Sequence, residues 1–145
     1  MLKNWLVKTQ QKDNFINHYN YLNDKNRSSH FYSTIHSIID NSKNIVQAFD
    51  DRKSYRKENG LRGGAVTNEA TSFIFTLPTD VGHPTAEQWE EMTKIILDQM
   101  HDDISRAIVR RNEKELSDRD DPNKPNHKKN PIIPAISRED LEQHC

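Results

Sequence analysis

The residues whose types and spacing come nearest to covalent chemistry are His18-Tyr19-Asn20-Tyr21. A tyrosine or histidine attacks a phosphodiester when basic groups hold the phosphate and, usually, a metal polarises its non-bridging oxygens. The candidate catalytic set is therefore His18, Tyr21 and Tyr19. At helical spacing Tyr19 falls with Phe15 and Leu22, a core position, so His18 and Tyr21 form the more exposed pair. Metal ligands do not accompany them. The seven histidines (His18, His30, His36, His83, His101, His127, His144) include no close metal-binding pair, the nearest spacing being His30 to His36 across a loop. No metal site is assigned and no cofactor can be named. A free-standing nuclease would need carboxylates beside His30 and His36 that spacing does not assemble. His101-Asp102-Asp103 is expected on the solvent face of a helix. Gly60-x-x-Gly63-Gly64 could bring backbone amides to a phosphate, but no helix N-terminus follows it, and a hinge accounts for it. There is no phosphate-loop Gly-Lys-Ser/Thr, no dinucleotide glycine pattern, no paired His on a helix and no nucleophile elbow.

A second chemistry needs only charge and rings. The formal net charge of −1 hides an asymmetry: residues 1–64 carry 11 Lys and Arg against 6 Asp and Glu, and residues 65–145 carry 10 against 16. The first stretch also holds 8 of the 11 aromatics, and cations with rings suit phosphates with bases. The candidate nucleic-acid-binding residues are Arg52, Lys53, Arg56, Lys57 and Arg62, with Tyr19, Tyr21 or Tyr55 to stack on bases. The same features have a structural reading: basic residues in the last turns of a helix complement its dipole, and rings fill a core.

The elements that must position these residues follow from 145 positions of which 32% are hydrophobic, with a mean hydropathy of −1.00. That composition supports one small core. Residues 2–9 suggest a short strand with Trp5 and Val7 on one face. Asp13 suits an N-cap for a helix carrying Phe15, Ile16, Tyr19 and Leu22 and ending near Asn23-Asp24. Ser42 can cap a helix that Gly60 stops near Asn59, with Ile45, Val46 and Phe49 as its buried stripe. Residues 69–77 form the clearest strand, Phe73, Phe75 and Leu77 alternating with Ser72, Ile74 and Thr76 before Pro78. Thr85 and Gln88 make a capping box, and Trp89, Met92, Ile96, Met100, Ile104 and Ile108 predict the buried face of a helix running to about Asn112. A flexible linker is expected over 113–130, and a short strand with a last helical turn at Ser137 over 131–145. The fold class is α+β: a small antiparallel sheet packed against two longer helices, residues 1–112, with a polar C-terminal tail. The lone cysteine, Cys145, excludes an internal disulfide framework. No apolar run could span a bilayer and the start has no secretory core, so a soluble, cytoplasmic protein with no membrane partner is expected.

The order of segments resembles the N-terminal part of plasmid mobilisation relaxases, the class of mobilisation or rolling-circle DNA-nicking proteins. The residues that carry the resemblance are Phe15-Ile16-Asn17-His18-Tyr19-Asn20-Tyr21-Leu22-Asn23, Arg27-Ser28-Ser29-His30, the basic helix into Gly60-Leu61-Arg62-Gly63-Gly64, the strand Ala70-Thr71-Ser72-Phe73-Ile74-Phe75-Thr76-Leu77-Pro78, and His83-Pro84-Thr85-Ala86-Glu87-Gln88-Trp89. It spans most of residues 12–112. The resemblance implies an antiparallel sheet with helices against it and a partner in single-stranded or origin-region DNA. In such relaxases a histidine–hydrophobic–histidine motif holds a divalent metal, and none of the 145 residues here forms that motif. The expectation is therefore a DNA-binding, relaxase-like domain acting in plasmid or mobile-element DNA processing (mobilisation or replication initiation) rather than an autonomous nickase.

The alternative is a small mobile-element or phage-borne interaction protein that inhibits or regulates a protein partner. Its surface would be the acidic helix over 85–112, where Glu87, Glu90, Glu91, Asp98, Asp102 and Asp103 crowd together. An ordinary solvated helix face would look the same.

Overall fold

A computed structural model describes residues 6–27, 35–61 and 66–145. Trp5, His30, Arg62, Gly63 and Gly64, and with them the expected strand over 2–5, lie outside the described residues. The fold is α+β. The chain divides into two compact units, Met1–Glu90 with His144–Cys145, and Glu91–Gln143.

The first unit is built on a two-stranded antiparallel ribbon of β1 (Leu6–Lys12) and β2 (Ala70–Thr76). The register pairs Leu6 with Thr76, Thr9 with Phe73 and Lys12 with Ala70, and the Glu69 amide extends it by donating to the Lys12 carbonyl at 2.8 Å. Neither face of β2 is covered along its whole length. On the expected apolar side Phe73 is 45% exposed and Phe75 half-buried, and on the other Ile74 is 40% exposed while Ala70 and Ser72 are half-buried. Small side chains permit close approach: His18 on α1 (Phe15–Asn23) reaches the Ser72 hydroxyl.

The N-terminus of α1 shows why it starts one residue later than expected. Asn14, rather than Asp13, is the cap, its side chain accepting from the Asn17 amide at 3.0 Å. The Phe15 amide donates to the Glu69 carboxylate at 2.9 Å, so a residue from the far strand satisfies a second free N–H and places negative charge at the positive end of the helix. Phe15 beneath it is the buried hydrophobic side chain of this helix. Asn14→Ala should destabilise the unit by about 1 kcal/mol, read as a lower urea midpoint with unchanged slope.

Helix α2 (Ser42–Glu58) begins with Asn41 as N-cap, and the Asp40 carboxylate accepts from the Ser42 amide at 3.1 Å. It stops as expected at Gly60, whose φ of 55° lies in the left-handed region. The Leu61 amide returns to the Arg56 carbonyl and the Gly60 amide to Lys57, the paired bonds of a Schellman motif.

Helix α3 (Ala86–Asp120) opens with the expected box. The Gln88 amide donates to the Thr85 hydroxyl at 3.2 Å, and the Thr85 amide donates to the Gln88 side chain at 2.8 Å. All six positions of its expected apolar face are half-buried, and Leu97 is buried. The helix does not end near Asn112: it is 35 residues long and runs on to Asp120. Beyond Ile108 its inward stripe continues at Asn112, Glu115 and Arg119, polar residues at three- and four-residue steps.

Within the second unit these polar residues hold residues 121–137 along α3. Asn112 pairs with Ile133 through two bonds, its side-chain amide donating to the carbonyl at 2.8 Å and its oxygen accepting from the amide at 3.0 Å. His101 donates through Nε2 to the Ile136 carbonyl at 2.7 Å, a half-buried position and not the solvent face expected. Arg111 donates to Pro131 and Arg119 to Asn130. Glu115, 6% exposed, accepts from Arg119, His127 and both the backbone and side-chain amides of Asn130. So the stretch read as a linker contains eight helical residues followed by a strap, and no strand forms over 131–136, because side chains of α3 take its backbone groups. The last helical turn is as expected: α4 (Arg138–Glu142) has a capping box between Ser137 and Asp140, and Leu141 is buried.

Candidate nucleic-acid interface

Phe49, Arg52, Lys53, Arg56 and Lys57 succeed one another at three- and four-residue steps, so the apolar stripe that begins at Ile45 and Val46 passes into a basic one on the same side of α2. The Lys53 ammonium lies 5.2 Å from the Phe49 ring centroid. Arg52, Lys53 and Lys57 are exposed and Arg56 is half-buried. Among the described residues no carboxylate lies within ion-pair distance of Arg52, Lys53 or Lys57. Asp50, exposed, stands at the edge of the stripe, three residues before Lys53 and seven before Lys57, whereas Asp51 and Glu58 lie on another side of the helix, where Asp51 accepts from Gln47 at 2.8 Å. Tyr55, 45% exposed, stands one turn from Arg52 at the edge of the stripe. The arrangement presents three cations that form no ion pair among the described residues beside an accessible ring.

The other sequence candidates gather on α1. The His18 and Tyr21 rings stack, with centroids 6.4 Å apart and planes 16° from parallel. The Arg27 guanidinium lies 4.6 Å from the Tyr21 centroid, and Tyr21 is 38% exposed. His18 Nε2 is 3.3 Å from the Ser72 hydroxyl. Burial pushes the His18 pKa down and Lys12 adds to the effect, so the imidazole is neutral at pH 7. A neutral histidine beside a hydroxyl is the first half of an activated nucleophile. Among the described residues no carboxylate bonds to His18, so the pair lacks the third group that fixes a tautomer.

Tyr19 serves differently. Its hydroxyl donates to the Asp40 carboxylate at 2.6 Å, and that bond, then burial, pushes its pKa up. The same bond, with those from Ser42, holds the Asp40 carboxyl below its ordinary value. As a phenol committed to a carboxylate, Tyr19 ties α1 to the start of α2. A cavity of about 300 Å³ opens beside it, with Phe15, Leu22, Ile39 and Ile45 among its walls. Sequence reasoning missed Ser72 and Asp40, which stand 54 and 21 positions from their partners. The small residues on the helix-facing side of β2 were the one available signal for Ser72.

Among the described residues no group of three or more His, Cys, Asp or Glu is placed to hold a metal ion. No described helix is long and apolar enough to cross a membrane. Comparison with protein-family models, curated proteins and solved structures finds no match for this chain.

Proposed function

We propose that the chain is a DNA-binding, relaxase-like domain that acts in the cytoplasm in plasmid or mobile-element DNA processing, in mobilisation or replication initiation, and that α2 grips the phosphates. The observation that carries the reading is the stripe of Arg52, Lys53, Arg56 and Lys57, in which Arg52, Lys53 and Lys57 form no ion pair among the described residues. The segment order of residues 12–112 supports the relaxase-like kinship. Tyr55 at the stripe's edge, and Tyr21 on α1 with Arg27 from the following turn over its ring, are suited to unpaired bases. Phosphate contacts of this kind position a strand without reading its sequence.

Fluorescence anisotropy with a labelled single-stranded oligonucleotide, repeated between about 50 and 200 mM salt, tests it. Four phosphates neutralised on a single strand predict a log–log salt slope of about −3. A flat salt response, or no binding at the lower salt, overturns the proposal.

A further inference from the structure

The cavity of about 300 Å³ beside Tyr19 lies within the first unit and takes no part in the phosphate contacts of α2. Its apolar walls come from both helices and the chain between them: Phe15 and Leu22 of α1, then Ile38 and Ile39, then Ile45 of α2. Leu22 is 48% and Ile38 39% exposed, so two of these walls stand open to water. Such a volume is at the small end of ligand pockets, which are lined mostly by apolar groups with a few polar ones that fix orientation.

The polar groups here present acceptors. The Tyr19 hydroxyl has given its proton to Asp40 Oδ2 at 2.6 Å, which leaves the lone pairs of the phenolic oxygen. Bonds from Tyr19 and Ser42 hold the Asp40 carboxyl below its ordinary value, so it is ionised at neutral pH and can only accept. Asp40 is also the one side chain with a formal charge among the described lining residues. The helix ends agree with that sign. Helix α1 finishes at the cavity with no basic residue in its last turn, so its carbonyl end attracts a cation. The positive end of α2 is answered by Asp40 itself, which accepts from the Ser42 amide at 3.1 Å. We propose that this cavity binds a small primary amine with an aliphatic or aromatic body, its ammonium bonding to the Asp40 carboxylate and the Tyr19 hydroxyl oxygen and its body lying against Leu22, Ile38 and Ile45. An anion would be repelled by the carboxylate, and a neutral alcohol forgoes the ion pair. Because Asp40 is exposed, the charge adds a severalfold preference and the apolar body supplies the rest of the affinity, on the order of millimolar for so small a ligand.

Phenethylamine, phenethyl alcohol and hydrocinnamate share a ring and differ in the head group. Each is titrated into the full chain at neutral pH, and amide shifts are followed by proton–nitrogen correlation NMR. The expected result is saturable shifts at the amides of Ile39, Ser42 and Ile45, with the amine bound about threefold or more tighter than the alcohol and the carboxylate weakest. Asp40→Asn keeps an acceptor for the Ser42 amide, so the start of α2 is preserved. In that variant the alcohol should bind as before and the amine should lose its advantage. Amine shifts that fail to saturate or that fall elsewhere on the chain, an alcohol or carboxylate that binds wild type as tightly, or an Asp40→Asn variant that still prefers the amine would each overturn the proposal.

Discussion

The triple variant Arg52→Gln, Lys53→Gln, Lys57→Gln should bind DNA with a salt slope about two units shallower than wild type, and on the order of a hundredfold more weakly at low salt. Each phosphate neutralised on a single strand contributes roughly 0.7 to the slope, so three lost cations set the change. The fold should survive. All three side chains are exposed, none gives up an ion pair among the described residues, and Gln is a good helix former. Arg56, half-buried, is left in place. The loss should be uniform across oligonucleotide sequences, because phosphate contacts carry no base information. Changing Lys114 and Lys129 to Gln in the second unit provides the control and should leave the slope as it was. A triple variant whose affinity drops while its slope stays put would mean that these cations do not touch phosphate.

The elements most legible from sequence were those that close locally. Thr85 and Gln88 are three residues apart, and Gly60 needs nothing beyond the preceding turn, so capping chemistry alone located one end of α3 and the stop of α2. The other end of α3 was missed for a physical reason. Apolar periodicity registers burial against hydrophobic side chains, whereas beyond Ile108 the inward stripe is Asn112, Glu115 and Arg119, buried by hydrogen bonds to chain 11 to 21 residues away. A stripe read for spacing without regard to polarity would have continued to Asp120. Residues 131–136 looked strand-like by composition, yet Pro131 and Pro134 cannot donate, and the carbonyls of Pro131, Ile133 and Ile136 go to side chains of α3.

The candidate site was partly legible for related reasons. The basic stripe is a property of one helix, so Arg52, Lys53, Arg56 and Lys57 could be named from the sequence of α2, while the approach of the Lys53 ammonium to the Phe49 ring, expected only as part of the buried stripe, came from the structure. The α1 cluster depends on what the chain brings back to it. Ser72 returns on β2 and Asp40 on the approach to α2, and each changes what its partner can do: His18 gains a hydroxyl neighbour, and Tyr19 becomes a hydrogen-bond donor to a carboxylate. The contact of α1 with Ser72 could not be read from apolar alternation, because it joins polar groups 54 positions apart.

Glu115 underlies the second large effect. Burial pushes its carboxyl up, but bonds from the Asn130 side chain and backbone, His127 and Arg119 outweigh this and bring its pKa down from 4.5 to about 2. The sign follows from linkage. A carboxylate held below its unfolded value stabilises the fold wherever it is ionised, so its contribution is complete above about 4.5 and disappears as pH falls towards 2. The strap over 121–137 should therefore loosen from α3 across that acid range. Asp118 titrates in the same direction because the Lys124 ammonium bonds to it at 2.6 Å, so Asp118→Asn separates the two contributions. Glu115→Gln replaces an acceptor facing four donors with an amide that matches them poorly, leaving half-buried N–H groups of Arg119 and Asn130 unsatisfied. At pH 7 this variant should exchange the amide hydrogens of Asn130 and Ile133 on the order of tenfold faster or more than wild type, with little further change on acidification. Wild-type exchange at those two amides, corrected for the intrinsic pH effect, that stays flat between pH 5 and 2 would show that the strap is held by something other than this carboxylate.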